Sequence, residues 1–248
     1  MPFVTIVFGV VFLMEYKKIL TFSFDDGITQ DIRFIDILNK YGLKCTFNIN
    51  SELLGKDGSL TINGKKIDHN KIAPELVKDV YKGHEVASHT LTHPNLTTLS
   101  PDEVIRQVEK DRTNLSNLVG YEVQGFAYPC GGINSNRAVA DLLRTKTNVK
   151  YARNIISSYN FNLQNDLYLF KPTISLTKTK EKLLELCDGF LNSKSDEIQL
   201  FYIWGHSYEL DVDDDWDFFE KICEKLSNRE DIYYCTNSEA FKYIENIQ

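Results

Sequence analysis

The amino-acid sequence predicts an α/β protein: a mostly parallel sheet closed into a TIM-barrel-like (β/α) barrel, with room for fewer than eight units. Three observations carry this. From Lys18 onward, short strand-like runs alternate with amphipathic stretches, so helical crossovers join the strands. The chain has 248 residues, 42% of them hydrophobic and 25% charged, which suits one such barrel and excludes a disordered tail, a fibre or a polytopic membrane protein. No internal repeat, low-complexity tract or linker divides it.

Each element has its own signal. Ile19–Phe24 is a compact β-branched and aromatic run, and Asp25-Asp26-Gly27 stops it. Ile32, Ile35, Leu38 and Tyr41 recur at helical spacing, with Gly42 as the stop. Cys45–Ile49 is the next strand. In the polar stretch after it, Asn63-Gly64 between two β-like runs predicts a type I′ hairpin inserted in a loop. Residues 74–82 read as a helix opened by Pro74 and closed by Gly83, followed by a short strand over 84–88. Ser100-Pro-Asp-Glu103 is a capping box, so a helix runs from Pro101 towards Gly120. Strands follow at 124–128, 149–152 and 198–204, and helices at 137–144, 180–191 and 217–226. Ile232–Cys235 is the last strand, and Ser238 is the expected cap of a final helix.

The charge balance, 28 Lys and Arg against 35 Asp and Glu, argues against nucleic acid as partner, because such affinity comes from cations on phosphates. Five widely spaced cysteines without a CxxC pair predict reduced, mostly buried thiols. Residues 3–14 are apolar but too few to span a bilayer, which takes about 20 residues. They also lack the basic start and small-residue cleavage site of a secretory signal. The reading adopted is that Met14 is the biological start and residues 1–13 an extension from a misread upstream start; the alternative is a short membrane tether. Stable membrane insertion is not expected, and the default compartment is the cytoplasm.

In such barrels catalytic groups sit at the C-terminal ends of the strands. Asp25 and Asp26 end the first strand, and neighbouring side chains on extended backbone point to opposite sides. One carboxylate can then bind a metal while the other faces a substrate. His89 and His93 follow the strand at 84–88; at i and i+4 they would meet on one face of a helical turn, which is metal-ligand spacing. His206 follows the strand at 198–204 and is a candidate acid or base. His84, at a strand start, lies away from that end, and His69 falls in the polar insertion, where solvation accounts for it. Together the strand ends make a metal-hydrolase set. Two histidines and one aspartate hold a divalent ion, a second aspartate takes a proton from water, and a histidine gives one to the leaving group.

These residues resemble the polysaccharide deacetylases with the NodB-homology domain, carbohydrate esterase family four, from about Lys18 to about Tyr243. Thr21–Gly27 resembles the family's first motif, whose first Asp is the base and second a metal ligand. His89-Thr-Leu-Thr-His93 matches the second, whose histidines bind metal. Phe126–Gly131 resembles the third and Leu200–His206 the fifth, which carries the general acid. The resemblance implies a distorted (β/α) barrel of about seven strands, a single catalytic domain over residues 14–248, and one divalent ion. Zinc is the expected ion, with cobalt or nickel admitted. It assigns Asp25 as base, His206 as acid and Asp26, His89 and His93 as ligands. The implied reaction is removal of N-acetyl or O-acetyl groups from an amino-sugar-containing carbohydrate.

Two departures bear on mechanism. The third-motif Arg that orients the base is Ala127 here, and Arg153, at the end of the next strand, is the proposed replacement, since a buried Arg needs an anionic partner. The third-motif Tyr is Cys130, whose backbone N–H can still face an oxyanion beside Tyr128. The fourth motif is missing; Trp216, in Asp213-Asp-Asp-Trp216, is the candidate aromatic wall. Two other functions fit the same residues: hydrolysis of a cyclic amide or ureide, and an inactive carbohydrate-binding relative.

Overall fold

The computed structural model describes residues 4–7, 10–13 and 16–247. Strands β1 (Val4–Val7) and β2 (Val10–Leu13) pair antiparallel as a hairpin, and Met14 lies outside the described residues. The barrel begins at β3 (Lys18–Asp25), followed by helix α1 (Gln30–Lys40) and β4 (Cys45–Ile49). Next comes the inserted hairpin, β5 (Ser59–Ile62) and β6 (Lys65–Asp68). Asn63 and Gly64 have φ of 51° and 78°, the left-handed pair a type I′ turn requires. The expected helix over 74–82 is a 3₁₀ turn, Pro74–Leu76, running into a single α-turn, α2 (Val77–Val80).

Then follow β7 (Glu85–Ser88), α3 (Pro101–Val119), β8 (Gly125–Ala127), α4 (Arg137–Lys146) and β9 (Tyr151–Arg153). The rest is β10 (Ile174–Ser175), α5 (Lys180–Asn192), β11 (Gln199–Gly205), α6 (Glu209–Val212), α7 (Trp216–Leu226), β12 (Ile232–Tyr234) and α8 (Asn237–Ile247). Ser100 caps α3 through Glu103 N–H, and Gly120 closes it at φ 83°. The cap of α8 is Thr236, not Ser238: Thr236 Oγ1 accepts from Glu239 N–H, and Glu239 returns a carboxylate to Thr236 N–H at 2.8 Å. Ser238 N–H instead donates to Glu85.

Among the described residues, seven parallel strands run in the order β10-β11-β3-β4-β7-β8-β9, a distorted (β/α) barrel. Strand β12 pairs with the first half of β3 (Tyr234 opposite Leu20), and β4 with the second half (Phe22 opposite Cys45). Residues 170–176 reach both edges: Phe170 N–H bonds Ala152 C=O at 3.0 Å, and Thr173 N–H bonds Tyr202 C=O at 2.8 Å. No helix among the described residues is long and apolar enough to cross a membrane.

Side-chain alternation along β3 explains where the site falls. Leu20, Phe22 and Phe24 face the helices; Phe24 meets Phe34 of α1 at 4.0 Å between ring centroids, and Phe22 meets Phe219 of α7 at 6.4 Å. Thr21, Ser23 and Asp25 face the barrel axis, where a buried polar column takes them up. Thr21 bonds Asn237, and Ser23 bonds Asn48. Below, Glu85 joins Thr46, Tyr151 and Ser238. Asp25 is thus the uppermost rung of an axial series that is polar from the bottom up.

Candidate active site

The first carboxylate pair owes its geometry to a sharp backbone turn. Asp25 ends β3, while Asp26 has φ 87° and Gly27 φ 64°. A Cβ on Gly27 would lie 2.8 Å from Ile49 Cγ2, so only glycine fits there. The turn sends Asp25 into the barrel and leaves Asp26 at the rim, its N–H bonded to Asn48 C=O at 2.9 Å.

The Asp25 carboxylate is 2% exposed and tightly held. Arg153 Nη2 lies 2.5 and 2.6 Å from its two oxygens, and Asn48 Nδ2 donates to Oδ1 at 2.8 Å. Burial alone would raise this carboxyl, but Arg153, with His89 and His206, outweighs burial and holds it below the usual range. Arg153 is itself fully buried and its guanidinium lies 4.8 Å over the Trp204 ring.

His89 and His93 meet without a helical turn. Residues 89–93 are irregular, and left-handed Thr90 (φ 71°) and His93 (φ 61°) fold the chain back on itself. Buried Asp111 of α3 anchors this loop, accepting from Ser88 Oγ at 2.6 Å and from the N–H groups of Ser51 and His89. Burial pushes the Asp111 carboxyl up to about 6. His89 Nδ1 lies 2.8 Å from Ala127 C=O; a carbonyl only accepts, so Nδ1 carries the hydrogen and Nε2 keeps its lone pair. Burial lowers His89 to about 4 and lowers His93 as well, so both stay neutral near pH 7. One oxygen of Asp26 and one nitrogen from each histidine lie within 4.8 Å of one another. A carboxylate and two neutral imidazoles converging at a rim fit a divalent ion such as zinc, cobalt or nickel.

His206 stands opposite. Its Nε2 is 4.0 Å from Asp25 Oδ2 and from Asp26 Oδ2, and its Nδ1 faces Glu209 Oε1 at 3.2 Å. Burial works against its charge, but Glu209 and then the two aspartates push the imidazole up to about 9. Thr177 Oγ1 fixes the other Glu209 oxygen at 2.6 Å.

Other expectations fare differently. Trp216 is buried in the main core, where Nε1 donates to Asp211 and Arg33 stacks on the ring, so it presents no wall to a ligand. Tyr128 is also buried; its N–H is bonded to Arg153 C=O and its hydroxyl to Tyr168 C=O, leaving neither for an oxyanion. Cys130, at φ 70°, is half-buried beside His93, with Sγ 3.8 Å from Nδ1. Aromatic rings at the site come instead from Tyr208, 5.0 Å from the His206 ring, and Trp204, 5.9 Å from it. His69, expected in solvent, is instead 3.1 Å from Asp26 Oδ2. Sequence reasoning also passed over Glu209, although its i+3 spacing from His206 is a usable signal. The cysteines are all free, and four of them are buried.

A carboxylate and two imidazoles at the C-terminal rim of a (β/α) barrel, beside a second carboxylate held by arginine, is the arrangement expected of metal-assisted hydrolases. The sequence model for polysaccharide deacetylase matches residues 15–147, more than half of the chain, and the chain belongs to that family. It is 32% identical over 126 residues to a peptidoglycan-N-acetylglucosamine deacetylase of Bacillus cereus, covering 49% of this chain and 39% of the relative. It is 29% identical over 127 residues to an uncharacterized 30.6 kDa protein of Geobacillus stearothermophilus, covering 50% and 42%. The matches thus span less than half of those relatives' own lengths. In structure it is similar to the Bacillus subtilis peptidoglycan deacetylase PdaC, with TM-score 0.55, 18% identity and 93% of each chain covered. It is also similar to a family 4 acetyl xylan esterase of Clostridium thermocellum in complex with a cobalt ion, with TM-score 0.54, 15% identity and 91% of each covered. At those identities the likeness is one of fold.

Proposed function

We propose that this chain is a metal-dependent carbohydrate deacetylase, hydrolysing an N-acetyl or O-acetyl group of an amino-sugar-containing substrate to acetate. The observation that carries the reading is the opposition of Asp26, His89 and His93 to an arginine-held Asp25, with His206 4.0 Å from both carboxylates. The family membership and the deacetylase relatives support the substrate class. The donor set suits zinc, and the cobalt complex of the esterase supports a divalent ion at such a site. When bound, the ion supplies Lewis acidity, polarising the acetyl carbonyl and rendering water more nucleophilic.

The chain's own groups do the rest. Asp25, kept ionised by Arg153, takes a proton from the attacking water. The backbone N–H of Cys130 is the proposed donor to the acetyl oxygen. His206, charged near pH 7 because Glu209 holds its Nδ1–H, donates from Nε2 to the departing sugar nitrogen or oxygen. Five groups with complete roles standing in one place support catalysis over binding alone.

Metal content per chain, measured for wild type and Asp26→Ala, with acetate release from chito-oligosaccharides and Asp25→Asn as inactive control, tests this. About one ion per chain, lost in Asp26→Ala, together with acetate release is the expected result. A wild type that takes up no zinc or cobalt overturns it.

A further inference from the structure

The insertion between β4 and β7 does more than decorate the rim. After the hairpin, residues 69–72 run back antiparallel to the Asp26 turn. Thr29 N–H bonds Asn70 C=O at 2.8 Å, Ile72 N–H bonds Gly27 C=O at 2.9 Å, and Ile28 bridges Lys71. Two side chains from this segment converge on Asp26 itself. Lys71, its side chain 7% exposed, donates from Nζ to Asp26 C=O at 2.7 Å. His69, its side chain 17% exposed, brings Nε2 to 3.1 Å from Asp26 Oδ2 and packs edge-on against Tyr208 at 5.2 Å. The hairpin is tied down at its far side: Lys65 Nζ bonds Asp211 C=O at 2.6 Å, and Gln30 Nε2 bonds Asp68 C=O at 2.7 Å.

Asp26 needs such support. A non-glycine residue at φ 87° is in a sparsely populated region and persists only where its surroundings over-determine it. Its two oxygens also face different ways: Oδ1 is 3.6 Å from His93 Nε2 and 3.5 Å from Lys71 Nζ, while Oδ2 is 3.1 Å from His69 Nε2 and 4.0 Å from His206 Nε2. We infer that His69, carried by the inserted hairpin, is a positioning residue that holds Asp26 as a one-oxygen metal ligand, with Oδ1 turned to the ion and Oδ2 bonded to the imidazole. Lys71 bonds the carbonyl of the same residue and lies 3.5 Å from Oδ1, so it holds both the backbone and the carboxylate in place. The inference rests on the proposed metal site and goes beyond it by making the insertion part of the ion-binding apparatus.

Zinc affinity of the 248-residue chain, stripped of metal and titrated with Zn²⁺ against a competing chelator, tests it. His69→Phe keeps a ring against Tyr208 but loses the donor; His69→Gln loses the ring but keeps an N–H. The inference expects His69→Phe to bind zinc about 10–100-fold more weakly, the usual effect of removing a group that orients a ligand, and His69→Gln to stay within about threefold of wild type. Equal affinity in wild type and His69→Phe, or equal weakening in both variants, overturns the inference and leaves the metal site standing. A wild type that binds no zinc overturns both.

Discussion

Replacing Arg153 with methionine measures what the arginine does for Asp25. Both side chains are buried, and one guanidinium nitrogen sits 2.5 and 2.6 Å from the two carboxylate oxygens. Methionine fills much of the space but leaves the carboxylate with Asn48 as its neutral partner. Breaking a buried pair from one side costs about 3–5 kcal/mol. In a chain of this size that lowers Tm by roughly 6–20 °C, at 2–4 °C per kcal/mol. The pH dependence also weakens. In the wild type the folded pKa of Asp25 lies below its unfolded value, so its contribution is full above the unfolded value and is lost as pH falls through the folded one. Without Arg153 only His89 and His206 oppose the cost of burial, and the folded pKa moves up towards the unfolded one. The stability that Asp25 contributes above its unfolded value shrinks accordingly, and so does its loss in acid. Urea unfolding of chelator-treated protein at several pH values, for Arg153→Met, Asp25→Asn and the double variant, reads both effects. The double variant, which removes the unpaired Asp25 charge as well, should recover at least half of the loss. A loss under about 1 kcal/mol near pH 7 in Arg153→Met, or a double variant no more stable than it, refutes the account.

Three further outcomes follow from the same geometry. Glu209→Gln removes the carboxylate that raises His206 to about 9, so the alkaline limb of kcat/KM should move to lower pH by at least about one unit; an unmoved limb means His206 is not the acid. Chelation should lower the Tm of the wild type, by the equivalent of about 2.7 kcal/mol if the ion was at a hundred times its Kd, and should leave Asp26→Ala unmoved in differential scanning calorimetry. Gly125→Ala would drive a methyl into the Tyr151 ring and hydroxyl and break its 2.9 Å bond to Glu85; denaturant unfolding should show a loss of at least about 1–3 kcal/mol.

What could be read in advance was local. The run Ile19–Phe24, the Asn63-Gly64 turn and the Ser100–Glu103 box each act within a few residues, and each stands where expected. The Asp25-Asp26 pair and the two histidines were also legible, because each places metal-ligating side chains at or directly after a strand end. Their means of meeting was not: helical spacing suggested a turn, whereas Thr90 and His93 achieve it through left-handed backbone. Strand β10 has two residues and no apolar run of its own; its pairing with β11 at Ile174–Ile203 makes it a strand. His69 escaped because its role depends on a hairpin crossing the rim, which no nearby residue encodes. Trp216 misled because an acidic run before a tryptophan reads the same whether the ring faces a sugar or the core.

The position of β3 has a consequence for how the chain is made. It pairs with three other strands, yet Lys18 pairs with Gln199, emerging about 180 residues later. At synthesis rates of about 5–20 residues per second, that edge stays open on the ribosome for roughly 10–40 s. The open edge carries Leu20, Phe22 and Phe24 on one face, which makes it a template for mispairing between nascent chains. Recovery of folded protein should therefore depend on chaperone occupancy during translation, more than on the stability of the finished barrel.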